Sequence, residues 1–322
     1  MRYKIREIII KAVLHHTVSE SLRKRLQTQA PDWLELVVLD VEDRRAFEAE
    51  IRDAEVLLHV LSPVDVSLMA SAPQLRLIQK IGVGVDAIDR AAAARRGIVV
   101  ATMPGTNSQA VAEMTLGLML TVLRRIAFLD QATRRGTGWR LDPEALDRSG
   151  EVSGRTVGFL GFGAIPRLLA PVLRVLGARI LYHDLIPAPG DMGEWKEFDA
   201  LLEGCDILSL HAPLTPQTRS IINARAFSRM RTGSILVNTA RGGLVDEAAL
   251  IDALHMGRLA GAGLDTFESE PIAPSSKLLE CENVVMTPHV AWLTRETMRR
   301  SLEVAFDNCA RLRDGRPILH LV

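Results

Sequence analysis

The chain is expected to be an α/β protein made of two parallel-sheet units. Three observations predict this. Short β-branched runs alternate with longer helical patterns along most of its length. The runs of the second half, such as TVGFLG and GSILVNTA, are apolar almost throughout, as strands buried on both faces require. The 322 residues, 48% of them hydrophobic, exceed what one typical core takes up.

In order, REIIIKAV, LELVVLD, AEVLLHVL, LRLIQKIG and GIVVAT read as strands. Between them SESLRKRLQTQAP, RRAFEAEIRDA, VDVSLMASAP and DRAAAARRG read as helices or helical turns. The turn ATMPGTNSQAVAE closes this first series. The apolar stretch AVAEMTLGLMLTVLRRIAFL follows and reads as one buried or interface helix. It carries Glu113 and two adjacent arginines, and is too short and too charged to span a bilayer. An irregular polar segment leads to a second series of strands: TVGFLG, ARILYHD, DILSLHA, GSILVNTA, GAGLDTF and NVVMTPH. The last segment, TRETMRRSLEVAFDNCARLRDG, reads as an amphipathic helix with a glycine stop.

Lys+Arg and Asp+Glu both number 39, so there is no general electrostatic pull toward nucleic acid or an anionic membrane. The three cysteines, Cys205, Cys281 and Cys309, are scattered and form no C-x-x-C pair. They fit reduced thiols in a cytoplasmic protein. The apolar run near the N-terminus is too short for a signal segment and is interrupted by Lys11. His15 and His16 are adjacent, lack metal-ligand spacing and read as solvent or turn residues; no metal is expected. His59 ends a strand and is a candidate for a binding surface, while His183, beside Asp184, fits a strand-end role or a contact to adenosine.

The stretch TVGFLGFGAIPRLLAPVLRVLG holds a nucleotide signal. A strand ends at Gly161, a turn follows through Gly163, and a helix begins. The first glycine permits the tight turn. The second lets the amides of Ala164 and Ile165 approach a diphosphate at the positive end of the helix. Asp184 ends the next strand at the spacing where a carboxylate receives both ribose hydroxyls of NAD and repels a 2′-phosphate. Pro166 stands where a third glycine is usual. With Gly163 as N-cap it is the third helical residue, whose N–H has no intrahelical acceptor, so the helix should survive.

Further strand ends present Arg241, then Asp265 and Glu270, then His289. Each alone fits a structural role. Parallel strands, however, gather such residues along one carboxyl edge.

Together these stretches resemble the D-isomer-specific 2-hydroxyacid dehydrogenase family. The similarity runs from IGVGVDAIDRAAAARRGIVVATMPGTNSQAVAE through GFGAI, HAPLTPQTRSIIN, VNTARGGLVDEAAL and GLDTFESEP to TPHVAW, most of the chain. The resemblance implies a flavodoxin-like substrate lobe, residues 1–102 and 291–322, and an inserted Rossmann NAD lobe, residues 103–290. It implies Arg241, Glu270 and His289 as the catalytic set, with the backbone of Val83 and Gly84 meeting the substrate carboxylate. It places Asp265 on the nicotinamide carboxamide, Thr239 and Ala240 beside the ring, and His211 and Pro213 near the cofactor. It also implies a homodimer.

The residue types suit a small 2-oxo acid. Arg241 can bind the carboxylate and polarise the ketone. His289 can give the ketone oxygen a proton, with Glu270 orienting the imidazole. Members acting on phosphoglycerate usually have arginine before the serine matching Ser62; here Leu61 stands there, and Trp292 looks more like the glycerate and hydroxypyruvate branch. An unphosphorylated substrate such as glyoxylate, hydroxypyruvate or glycerate is therefore expected. Phosphoglycerate oxidation and an NAD-sensing, corepressor-like binding protein are the alternatives.

Overall fold

The computed structural model describes residues 9–322. The chain divides into two compact units, one running up to Asn107 and completed by Thr294–Val322, the other Ser108–Leu293. The boundaries read from the sequence fall a few residues earlier at both crossings.

The first unit opens with β1 (Ile10–His15), α1 (Glu20–Gln29), β2 (Leu34–Leu39), α2 (Arg44–Glu50) and β3 (Val56–His59). It continues with α3 (Val66–Ser71), β4 (Leu77–Lys80), α4 (Arg90–Arg95) and β5 (Val99–Ala101). The first residues of the expected strand REIIIKAV, and with them the start of the N-terminal apolar run, lie outside the described residues. All four helices begin at a side-chain cap. Ser19, Asp43, Asp65 and Asp89 accept the N–H groups of Leu22, Ala46, Leu68 and Ala92. The strands form a parallel sheet in the order β2-β1-β3-β4-β5, the flavodoxin-like arrangement. Val13, Leu57, Ile78 and Val100 join one core cluster with Phe47, Met69 and Ala93.

The second unit starts with α5 (Ser108–Leu123) and α6 (Ile126–Arg134). The stretch expected to be one helix is therefore two. Arg125 adopts the left-handed φ of 54° between them. Its guanidinium donates to the Ala145 carbonyl and lies 4.0 Å from the Phe128 ring centroid. These contacts turn the chain where helical propensity would have continued it. Next come α7 (Pro143–Asp147), β6 (Thr156–Leu160), α8 (Ala164–Val175), β7 (Arg179–His183), β8 (Glu194–Trp195) and α9 (Phe198–Gly204). Then follow β9 (Ile207–Leu210), α10 (Ala224–Arg229), β10 (Ser234–Asn238), α11 (Glu247–His255), β11 (Leu259–Leu264) and β12 (Val284–Met286).

These strands build a seven-stranded parallel sheet, β12-β11-β10-β9-β6-β7-β8. The chain leaves β6 toward β7 and β8, then returns to β9 on the other side. The switch point therefore lies between β6 and β9, where open α/β sheets bind ligands. Two core clusters sandwich the sheet. One gathers Met119, Phe159, Leu169, Leu173 and Val237; the other gathers Leu202, Leu208, Phe227, Leu236 and Leu254.

The C-terminal helix α12 (Arg295–Arg313) is capped by Thr294 and belongs to the first unit. Buried Asn308 fastens it there. Its Nδ2 donates to Gln79 Oε1 at 2.6 Å, and its Oδ1 accepts the Leu319 N–H at 2.9 Å. The tail then runs beside β5, where Thr102 donates to His320 O and Val322 donates to Val100 O.

Candidate active site

The residues expected to hold NAD stand at the switch point of the second unit. Gly161 ends β6 with φ +86°, and a Cβ built there would lie 2.8 Å from the backbone of His211 and Ala212. Only glycine can make this turn with the strand-end segment so close. Gly163 caps α8 without a side-chain partner, and a Cβ built on it meets nothing within 4 Å. There is thus room above the first turn of α8, whose amides at Ala164 and Ile165 have no intrahelical acceptor, as a diphosphate site requires. Pro166 is the third residue of α8 and is buried with Leu169, Ala170 and Leu173. It packs against the core as a residue of the inner face, and the helix runs on unbroken through it. Pro171 also lies inside α8. It removes one bond from the helical ladder.

Asp184 follows β7. Its Oδ2 accepts the Phe162 N–H and its Oδ1 the Leu185 N–H, both at 2.7 Å. The carboxylate is thereby fixed beside the glycine turn, with lone pairs left for hydroxyl donors. His211 has Nε2 2.8 Å from Ser209 Oγ, and among the described residues its buried Nδ1 has no partner. Burial pushes its pKa down to about 3, so the ring is neutral at physiological pH. Pro213 follows it, and its carbonyl accepts the Thr218 hydroxyl at 2.7 Å. These residues fit a dinucleotide.

The expected catalytic residues meet at the carboxyl end of the same sheet. Arg241 follows β10 and caps a short 3-10 helix, Gly242–Leu244. Asn238, buried at the end of β10, accepts the Ala240 N–H through Oδ1 and donates from Nδ2 to Arg241 O, at 3.0 and 2.9 Å. It braces the arginine turn, a role with no signal in the sequence beyond its strand-end position. A Cβ on Gly242 would stand 1.8 Å from the Phe267 carbonyl carbon. That glycine lets the arginine turn lie against the segment that carries Glu270.

Glu270 Oε2 accepts the His289 Nδ1–H at 2.6 Å, and Oε1 accepts the Phe267 N–H at 2.9 Å. Burial works to raise the Glu270 pKa. The His289 hydrogen bond, the Phe267 amide and the nearby charges of His289 and Arg241 outweigh it and hold the carboxyl below its ordinary value. It is an anion at neutral pH.

His289 itself has φ 55°, a left-handed conformation uncommon for residues other than glycine. The surroundings enforce it. Its N–H donates to Asp265 O at 2.8 Å. Asp265, buried at the end of β11, accepts Thr287 Oγ1–H and the Val290 N–H on Oδ1, at 2.6 and 2.9 Å, and the Ala291 N–H on Oδ2 at 2.9 Å. Three donors from the 287–291 segment converge on one carboxylate and pin the loop that presents the imidazole. Thr239 is also buried, and its hydroxyl meets Thr115 Oγ1 at 2.8 Å.

Val83 and Gly84 lie in the turn after β4, in the first unit, with Val83 exposed. His59 is buried, and its Nε2 donates to Ser62 O at 2.7 Å. His15 ends β1 and His16 stands in the bend after it, both half-buried, which fits the turn reading; His15 stacks on Phe47 at 4.0 Å, and burial lowers the pKa of both. The His183 Nδ1–H donates to Lys196 O, which fits its strand-end reading. Cys205, Cys281 and Cys309 are all buried free thiols. Among the described residues, no helix is long and apolar enough to cross a membrane.

Residues 116–291 match the profile of the D-isomer specific 2-hydroxyacid dehydrogenase, NAD binding domain. A glyoxylate reductase from Korarchaeum cryptofilum is 38% identical over 82% of this chain and 81% of its own. A D-3-phosphoglycerate dehydrogenase from Mycobacterium leprae is 36% identical over 88% of this chain, which spans only 54% of that protein. A crystal structure of a Thermus thermophilus protein superposes with a TM-score of 0.87 at 34% identity, covering 97% of this chain and 100% of the other. The protein is an NAD-dependent oxidoreductase acting on CH–OH groups, and the chain belongs to the D-isomer specific 2-hydroxyacid dehydrogenase family.

Proposed function

We propose that this enzyme interconverts a small, unphosphorylated 2-oxo acid and its 2-hydroxy acid, with glyoxylate and hydroxypyruvate as the first substrates to try. The 2.6 Å pair of His289 and Glu270 beside Arg241 carries the reading. Glu270 holds Nδ1–H, which leaves Nε2 as the atom that exchanges a proton with the substrate oxygen. Arg241 offers a planar fork of donors to the substrate carboxylate. The backbone of Val83 and Gly84 supplies further N–H donors to that carboxylate. NAD, when bound, supplies and accepts the hydride.

For the cofactor, Gly161, Gly163, Ala164 and Ile165 form the diphosphate cradle, and Asp184 receives the ribose hydroxyls and disfavours a 2′-phosphate. Asp265 Oδ2 accepts one internal donor and keeps a lone pair for the carboxamide. Thr239, Ala240, His211 and Pro213 flank the nicotinamide half. The glyoxylate reductase similarity and Leu61 support an unphosphorylated substrate.

We further propose a cytoplasmic homodimer. Leu168, Val172, Val175 and Leu176 form an exposed apolar stripe along α8, with Val175 88% exposed, which suits burial against a second copy. Light scattering of wild type and Val175→Glu tests this: a dimer that the charge dissociates is expected, and a monomeric wild type refutes it.

The substrate is tested by NADH oxidation across 2-oxo acids with and without phosphate groups. Turnover concentrated in glyoxylate or hydroxypyruvate is expected. Preference for the phosphorylated acids, or no turnover while NADH binds, overturns the reading.

A further inference from the structure

Arg167 is the first charged residue of α8. Side chains on a helix tilt toward its N-terminus, and this one folds back so that Nε donates to Phe162 O at 3.0 Å. Phe162 stands between the two turn glycines, and its N–H donates to Asp184 Oδ2. Guanidinium and carboxylate are thus anchored to opposite ends of one residue. Arg174, two turns further along the same stripe, donates to Asp191 O at 3.0 Å in the connection between β7 and β8. This edge of α8 therefore faces the chain that follows Asp184 toward β8. Among the described residues neither terminal nitrogen of Arg167 has an acceptor, and the side chain is exposed. Directly before it, Pro166 lacks the N–H that another residue would add to the anion-binding turn. Ala164, one turn back, is too short to fill the space.

We propose that Arg167 is a ligand of the cofactor diphosphate, its Nη1 and Nη2 donating to phosphate oxygens on the adenosine side and replacing the donor missing at Pro166. This rests on the 161–163 turn being the diphosphate cradle. The test is equilibrium titration of wild type, Arg167→Ala, Arg167→Lys and Gly163→Val with NADH, and with ADP-ribose and adenosine as competitors. Arg167→Ala should weaken NADH and ADP-ribose by about five- to twentyfold, the range for an exposed charged donor on phosphate. Adenosine, which has no phosphate, should be unaffected. The affinity of Arg167→Ala should also depend less on salt, and Arg167→Lys should fall between the two. Gly163→Val fills the open space above the turn and should abolish NADH binding.

Unchanged ADP-ribose affinity in Arg167→Ala, with Gly163→Val defective, overturns the role of Arg167 alone. Full NADH affinity in Gly163→Val overturns the cradle and with it the proposal. Equal losses of adenosine and ADP-ribose in Arg167→Ala mean a collapsed turn and also overturn it.

Discussion

Gly242→Ala is the most informative structural perturbation of the active site. The added Cβ would stand 1.8 Å from the Phe267 carbonyl carbon, against about 3.4 Å for an ordinary contact, so the two segments must part by roughly 1.6 Å. Both neighbours are backbone, so no rotamer change relieves the clash. One segment carries Arg241 and the other leads to Glu270, which orients His289. Misplacing a catalytic group by about 1 Å can cost about 100-fold, so kcat/KM should fall at least that far. NADH binding should weaken far less than kcat/KM falls: the 161–163 cradle lies elsewhere on the sheet, and only the nicotinamide contacts of Thr239 and Ala240 share the displaced turn. Steady-state kinetics, with NADH titration and a thermal melt as controls, measure this. A folded Gly242→Ala variant with wild-type kcat/KM would refute the claim that this backbone contact sets the site.

Other outcomes follow from the same geometry. Pro166→Gly should keep activity and shift NADH affinity only modestly, because the helix already accepts proline in its first turn; loss of NADH binding would show the proline to be essential. Burial, aided by the Lys80 charge, pushes the His59 pKa from the ordinary histidine value down to about 4. The unfolded chain then binds the extra proton. Stability should fall as pH drops from about 6.5 toward about 4, with a slope of up to about 1.4 kcal/mol per pH unit. Denaturant unfolding of wild type and His59→Gln across that window checks it; identical slopes would remove His59 as a source. Leu173→Ala empties a fully buried site on the inner face of α8 and should cost about 2–5 kcal/mol by chemical denaturation; a loss below about 1 kcal/mol would mean that the site collapses without penalty.

Much of this was legible in the sequence because period and position carry it. Strands buried on both faces show as unbroken apolar runs, and residues at their carboxyl ends must share one edge; hence the meeting of Arg241, Glu270 and His289 within one unit. The split at Arg125 was not legible. It depends on Ala145 and Phe128 meeting the guanidinium, a tertiary contact with no local signature. The bracing by Asn238, the three donors on Asp265 and the backbone contact at Gly242 are likewise products of the folded loops. Arg167 reads in the sequence only as a helix residue; its guanidinium meets Phe162 only once the glycine turn has folded.

The central claim is that His289, held by Glu270, exchanges the proton that accompanies hydride transfer. Single-turnover oxidation of bound NADH by glyoxylate in His289→Gln tests it most directly. NADH binding near wild type with most of the turnover lost is the predicted result. An unchanged single-turnover rate would contradict the account.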